Sequence, residues 1–217
     1  MCGFESRLAH VSDDVDDFSY PTPLDVASWR REVHTIYAAV RAEPDPAIAH
    51  ALWVDARTHL FDTHPASPRR PGLELRHAPY NPAYRFTVPI RPAELHRWEF
   101  TSGTDGVVPF AGIGTVQLGD LGEVAVWWLD SYGGGVFLPL RDGSAGQDTY
   151  GAGRYVLDTV KGADLGRDGE QRWVVDLNFA YNPSCVYDDR WVCPLAPPAN
   201  RIDAAAAVGE LLPRGYA

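Results

Sequence analysis

Within one short span, this chain collects residue types that bind and polarise small polar molecules: Arg154, Asp176, Asn178, Tyr181 and Asn182. Arginine offers a planar fork of donors to a carboxylate or a developing oxyanion, and an asparagine amide adds another donor. A carboxylate and a phenol supply an acid and a base. The candidate catalytic residues are therefore Asp142, Asp176 and Tyr181. The candidate ligand-binding residues are Arg154, Asn178, Tyr181 and Asn182. Desolvation would raise a carboxyl pKa and a neighbouring arginine would lower it, so spacing alone leaves the sign open. A structural role competes: Asp142-Gly143 and Asn182-Pro183 are turn formers, Arg154 suits an ion-pair anchor, and Asn178 suits a cap for loop backbone.

The cysteine pair Cys185 and Cys193 raises a second chemistry. Seven residues separate them, too many for a C-x-x-C redox motif, and no second pair completes a four-ligand zinc site. A disulfide would require their Cα atoms to come within about 7 Å. With only three cysteines and a reducing compartment, both are expected as thiols that pack. His59, Asp62 and His64 in "HLFDTHP" could supply metal ligands, but a histidine on a helical stripe is usually a packing residue, and no metal site is expected. "GSAG" at 143–146 is not the G-x-S-x-G elbow of serine hydrolases, and "GAGR" at 151–154 lacks dinucleotide-binding spacing.

The elements that must hold these residues change character along the chain. Val26, Trp29, Val33, Ile36, Tyr37 and Val40 fall at helical spacing, with Arg30, Arg31 and Glu32 turned away. Asp45-Pro46 supplies an N-cap and a first-turn proline for a second helix whose stripe reads Ile48, Leu52, Ala56, His59 and Leu60. From Tyr84 the period becomes two: "YRFTVPI", "IGTVQL", "EVAVWWL", "VFLPL", "RYVLD" and "RWVVDLNF" read as strands, with "SYGGG" as a hairpin loop. Strands without intervening helices predict a mainly β fold: an antiparallel barrel or sandwich with an N-terminal helical pair packed on it. Alternation would place Arg154, Val156 and Asp158 on one face, and Val174, Asp176 and Asn178 on one face of the later strand. If those strands pair across 159–171, Arg154 lies near Asp176 or Asn178, either on a solvated outer face or inside a barrel.

Composition sets the outer limits. The expected organisation is an acidic tail over 1–20, with four aspartates in "SDDVDD", then one domain over 21–217: helices at about 24–61 and a β body at about 72–212. A net charge of −10 argues against a nucleic-acid partner. Without an apolar run of membrane length or a signal pattern, the expectation is a cytoplasmic protein with no membrane partner. No particular cofactor is indicated, and oligomeric state is left open.

Three longer stretches carry a family resemblance. "FLPLRDGSAGQDTYGAGRYVLDT", "VVDLNFAYNPSCVYDDRWVCPLAPPANRI" and "AVGE" resemble the domain of unknown function 1684 family of bacteria and archaea, over roughly residues 24–212. Ala152 stands where that family usually has glycine, and Val208 where it usually has alanine. The family has no established activity, so the resemblance implies no catalytic residue. It adds Thr149, Tyr150 and Asn200 to the positions worth testing.

Three functions are compatible with this reading. The first is a small-molecule pocket in the β body, with acid–base catalysis as its enzymatic form. It requires Arg154, Asp176, Asn178 and Tyr181 to converge. The second is a non-catalytic structural or protein-interaction module, and the third a flavin- or other cofactor-binding barrel.

Overall fold

A computed structural model describes residues 21–94, 96–102 and 106–216; the acidic tail at 1–20 lies outside the described residues. Helix α1 (Pro23–Ala42) starts from a capping box in which Thr22 and Asp25 satisfy each other's backbone amides. Helix α2 (Pro46–Thr63) follows, with the Asp45 carboxylate accepting from the amides of Ala47 and Ile48. Its stripe is displaced from the expected one. Ala49, His50, Trp53, Arg57, Leu60 and Phe61 are buried, while Ile48 and His59 are exposed. Among the described residues no helix is long and apolar enough to cross a membrane.

Among the described residues seven strands follow: β1 (Arg85–Val88), β2 (Trp98–Ser102), β3 (Gly106–Gln117), β4 (Glu123–Leu129), β5 (Val136–Leu140), β6 (Arg154–Asp158) and β7 (Trp173–Asp176). Strand β2 had no counterpart in the sequence reading. Strands β2 to β6 form an antiparallel meander in chain order that curls into a half-barrel, and β1 pairs with β7. The fold is thus mainly β and antiparallel, with the two helices packed on it. Backbone bridges at Arg91–Thr115 and Tyr155–Tyr181 tie the small sheet to both sides of the large one. At the first bridge, β3 bulges between Gly112 and Gly114, and a Cβ on Gly114 would lie 2.3 Å from the Arg91 carbonyl oxygen.

The large sheet is packed on both faces. Val124 and Val126 of β4, with Leu138, Leu140 and Leu157, pack against β1, β7 and the tail residues Ile202, Ala206 and Val208. Ala125 and Trp127 point the other way and join Phe110, Phe137 and Tyr155 against Tyr37, Val40 and Trp53 of the helices. Strands buried on both faces account for the nearly continuous apolar runs in "EVAVWWL" and "VFLPL".

The expected pairing of β6 with β7 does not occur. β6 pairs with β5, and β7 with β1. The expected alternation in β6 fails too, and Pro139 is the reason. It cannot donate to the ladder, so the register shifts: Tyr155 opposes Pro139, Leu157 opposes Leu138, and Val156 is the extra residue. Arg154 therefore lies beside Leu140, whereas Asp158 lies beside Phe137 on the opposite face. In β7 the alternation stops at Asp176, whose side chain accepts from the Asn178 amide and caps a 3-10 turn over Leu177–Phe179.

Candidate functional site

The polar residues singled out by sequence divide among separate buried networks. Asp142 accepts from Arg154 Nη2 at 3.0 Å, Thr149 Oγ1 at 3.1 Å, and the amides of Ser144 and Ala206 at 2.8 and 3.1 Å. Arg154 also donates to the carbonyls of Ala206, Val208 and Glu210. It thus clasps the C-terminal segment to the sheet. Asp176 binds Arg85 Nη1 at 2.9 Å and the Asn178 side chain at 2.7 Å, and Asn178 also bonds both backbone groups of Asn81. Asn182 donates through its amide to Glu210 at 2.9 Å and through its side chain to the Leu211 carbonyl. Asn200 accepts from the Trp127 indole and donates to the Ala125 carbonyl, both at 2.7 Å.

These arrangements bury the polar face against protein rather than exposing it to solvent or to a ligand. Arg154, Asp176, Asn178 and Asn182 are each 1% exposed or less. Burial would raise the Asp142 carboxyl, but the Arg154 charge and the bonds from Ser144 and Ala206 outweigh it and hold the group below its ordinary value. Burial pushes the Tyr181 phenol well up. Neither is poised to exchange a proton near neutral pH.

A cavity of about 320 Å³ opens instead on the helix-covered face of the sheet. Phe110, Leu129 and Phe137 form its floor, Val26, Trp29 and Arg30 of α1 one wall, and Trp191, Val192 and Cys193 the opposite wall. Asp158 and Lys161 supply a polar end. The Pro139 bulge is what turns Asp158 toward this space. Its Oδ2 lies 3.3 Å from Lys161 Nζ and accepts from the Tyr181 hydroxyl at 3.2 Å. Of the first five candidates, Tyr181 is thus hydrogen-bonded to a residue lining the cavity, while none of the five lines it directly.

The 184–194 wall is pinned from below. Asp188 is 2% exposed and accepts from the Arg190 amide, Arg190 Nε and Arg70 Nη2 at 2.7 to 2.9 Å. Burial opposes its charge, but Arg190 and Arg70 prevail and bring its carboxyl to about 2. Tyr187 bonds Glu210, and Tyr155 Oη donates to the Pro194 carbonyl at 2.7 Å. Cys185 and Cys193 both lie in this segment as free, partly exposed cysteines, and Cys193 lines the cavity.

Sequence reasoning missed Asp158, Lys161 and Trp29 as cavity residues, as well as the buried Arg57 and Glu210. "AVGE" did signal Glu210 as a motif, without a partner. His59, Asp62 and His64 do not assemble: His59 is exposed, Asp62 pairs with Arg69 at 2.6 Å, and His64 Nδ1 accepts from the Ala66 amide. Among the described residues no group of three or more His, Cys, Asp or Glu is arranged to hold a metal ion.

Comparison with known proteins places these observations. No curated protein matches the chain. Among solved structures, the solution NMR structure of an uncharacterized protein from Haloarcula marismortui is similar over 88% of this chain and 97% of that one, with a TM-score of 0.51 at 23% identity. The likeness is one of fold. The family model described as "Protein of unknown function (DUF1684)" matches residues 73–211. That span holds every strand, the Asp142–Arg154 clasp, both cysteines of the wall and Glu210, and leaves the two helices outside it. The chain belongs to the DUF1684 family of proteins of unknown function.

Proposed function

We propose that the protein binds a small amphipathic anion in the cavity between α1, the large sheet and the 184–194 wall. The observation that carries this reading is an apolar hollow of about 320 Å³, floored by Phe110 and Phe137, whose lining has two cationic side chains, Arg30 and Lys161, against one carboxylate, Asp158, which pairs with Lys161. That volume falls at the small end of ordinary ligand sites, which are largely apolar with a few polar groups fixing orientation. Burying an alkyl chain gains about 0.8 kcal/mol per methylene, and the cations then select the head group. The reading is one of binding rather than acid–base catalysis, because the candidate acids and bases are committed to structural partners.

The test uses three ten-carbon probes, decanoate, decanol and decylamine, titrated against tryptophan fluorescence and thermal unfolding. Trp29 and Trp191 line the site and report occupancy. Decanoate should bind most tightly, and Arg30→Glu should weaken it while sparing decanol. Equal binding of all three would overturn the anionic assignment. Failure of all three to bind would overturn the pocket reading.

A further inference from the structure

The cavity lies within reach of the residues that precede α1. Val26, Trp29 and Arg30 supply one of its walls, in a helix that starts at Pro23. At 1.5 Å of rise per residue, that wall runs from about 4 Å to about 10 Å beyond the helix start. Residues 11–20, "VSDDVDDFSY", end next to Pro21, where the described chain begins. Fully extended, a stretch of that length spans up to about 33 Å, several times the distance to the far end of the wall. It carries four aspartates and no cation, interleaved with Val11, Val15, Phe18 and Tyr20. Apolar groups joined to negative charge are the chemistry already inferred for the ligand, and the cavity offers the complement. Arg30 is exposed and, among the described residues, has no ion-pair partner. Lys161 keeps 44% of its side chain exposed beside Asp158, and Val192 leaves an apolar rim uncovered on the facing wall.

We propose that residues 11–20 are a competitor built into the chain for its own cavity. Phe18 enters the apolar hollow, and Asp13, Asp14, Asp16 and Asp17 meet Arg30 and Lys161 at its mouth. An amphipathic anion must then displace the segment in order to bind. The regulation rests on the ligand reading of this cavity, whereas the seating of the segment can be tested without any ligand.

Connectivity commits the cavity to this occupant. A tether this short gives the segment an effective concentration of order millimolar at the mouth, far above what a second copy supplies at ordinary protein concentrations. Ion pairs at an exposed mouth are individually weak, so charge alone would leave the segment unregistered. A buried aromatic ring supplies the anchor, and the aspartates favour the segment over a neutral chain of the same shape. The apparent affinity of any added ligand then falls in proportion to the fraction of chains whose cavity is open.

Lys161 is the sole lysine of the sequence, so a zero-length carbodiimide cross-link in the full chain has one side-chain amine to report. Trypsin cuts after Arg7, Arg30, Arg154 and Arg167, and an amide on Lys161 blocks cleavage there. The expected product joins peptide 8–30 to peptide 155–167, with fragment ions placing the bond within 13–17 rather than at Asp25. Coupling confined to peptide 155–167, where Asp158 is the 3.3 Å neighbour of Lys161, would overturn the proposal. Links between differently isotope-labelled chains would assign the segment to a second copy and overturn it as well. Decanoate is then titrated against two full-chain variants, Phe18→Ser and Asp13→Asn/Asp14→Asn/Asp16→Asn/Asp17→Asn. Each should bind it about fivefold or more tightly than the parent, and Phe18→Ser, which leaves the charge unchanged, should also lower the cross-link yield. Unchanged affinity in both variants would overturn the competitor role. A cross-link formed in chains that bind no decanoate would overturn the ligand reading, whereas decanoate binding without the cross-link would overturn this inference and leave that reading standing.

Discussion

The Arg57 guanidinium meets the Glu210 carboxylate at 2.8 Å through Nη2 and 3.1 Å through Nε, across 153 residues of chain. Glu210 is fully buried, and it also receives the Asn182 amide and the Tyr187 hydroxyl. Burial raises its carboxyl pKa, with Arg57 opposing. The pair joins α2, the cavity wall and the C-terminal segment at a single point.

Removing one partner strands the other's charge in the interior. Arg57→Ala and Glu210→Ala should each cost about 3–5 kcal/mol in urea unfolding. The double variant Arg57→Met/Glu210→Leu should cost less than the sum of the two alanine variants, because neither charge is then left buried alone. Additive losses would show that the pair does not act as a unit.

Acid should destabilise the protein well above the carboxylate range. Burial, then the charges of Arg57 and His50, bring His77 from 6.5 down to about 3, and burial lowers His50 as well. Their folded pKa values lie below the unfolded ones, so the unfolded chain binds protons first. For His77 the stability is complete above about pH 6.5 and is lost as pH falls toward about 3, by up to about 1.4 kcal/mol per pH unit, and His50 adds to the loss in the same direction. Asp142, also depressed, extends the loss below its ordinary 3.8. His77 Nε2 has no hydrogen-bond partner, so His77→Phe sacrifices no bond at that atom. Urea midpoints measured across this range should fall less steeply in His77→Phe; an unchanged slope would assign the acid sensitivity elsewhere.

Gly209 holds the turn that delivers Glu210. Its φ is +71°, and an added Cβ would lie 2.7 Å from the carbonyl oxygens of Leu177 and Ala180. Gly209→Ala should therefore destabilise by about 1–3 kcal/mol. Gly169 has open space and no positive φ, so Gly169→Ala should stay within about 0.5 kcal/mol of the parent. The comparison by urea unfolding separates backbone strain from a general effect of adding a methyl group.

Filling the cavity should abolish binding without unfolding the chain. Val192 lines the hollow yet is 45% exposed, so Val192→Trp can occupy the space from the rim. Decanoate should then fail to raise the melting temperature, while the ligand-free variant melts near the parent. Retained decanoate stabilisation would place the site elsewhere.

Every described strand but β2, the SYGGG hairpin, helix α1 and the Asp45 cap of α2 were legible because each is set by local period or local hydrogen bonding. The phase of α2 was not. Its stripe buries Arg57 and His50, and Arg57 is tolerable inside only because Glu210 is there to meet it. No pattern within α2 reveals a partner 153 residues away. The site was lost for a similar reason. Strict alternation put Asp158 beside Arg154, and one missing N–H at Pro139 moved it to the other face of the sheet. Asp176 and Asn178 look reactive in sequence for the same quality that makes them structural here, since short polar side chains cap turns from within a core.

The clasp of Arg154 on the carbonyls of residues 206, 208 and 210 also has a consequence for how the chain is made. During vectorial synthesis α1, α2 and the whole meander emerge while Arg154 has no carbonyls to hold and Arg57 has no counter-ion. The helices can form early, but their inward face must wait for the tail. Contacts of such sequence separation slow folding and leave apolar surface uncovered in the interval. A nascent chain halted before residue 206 would thus present the tail-facing side chains of Leu138 and Leu157 to chaperones, and release of the next few residues would be the step that withdraws them.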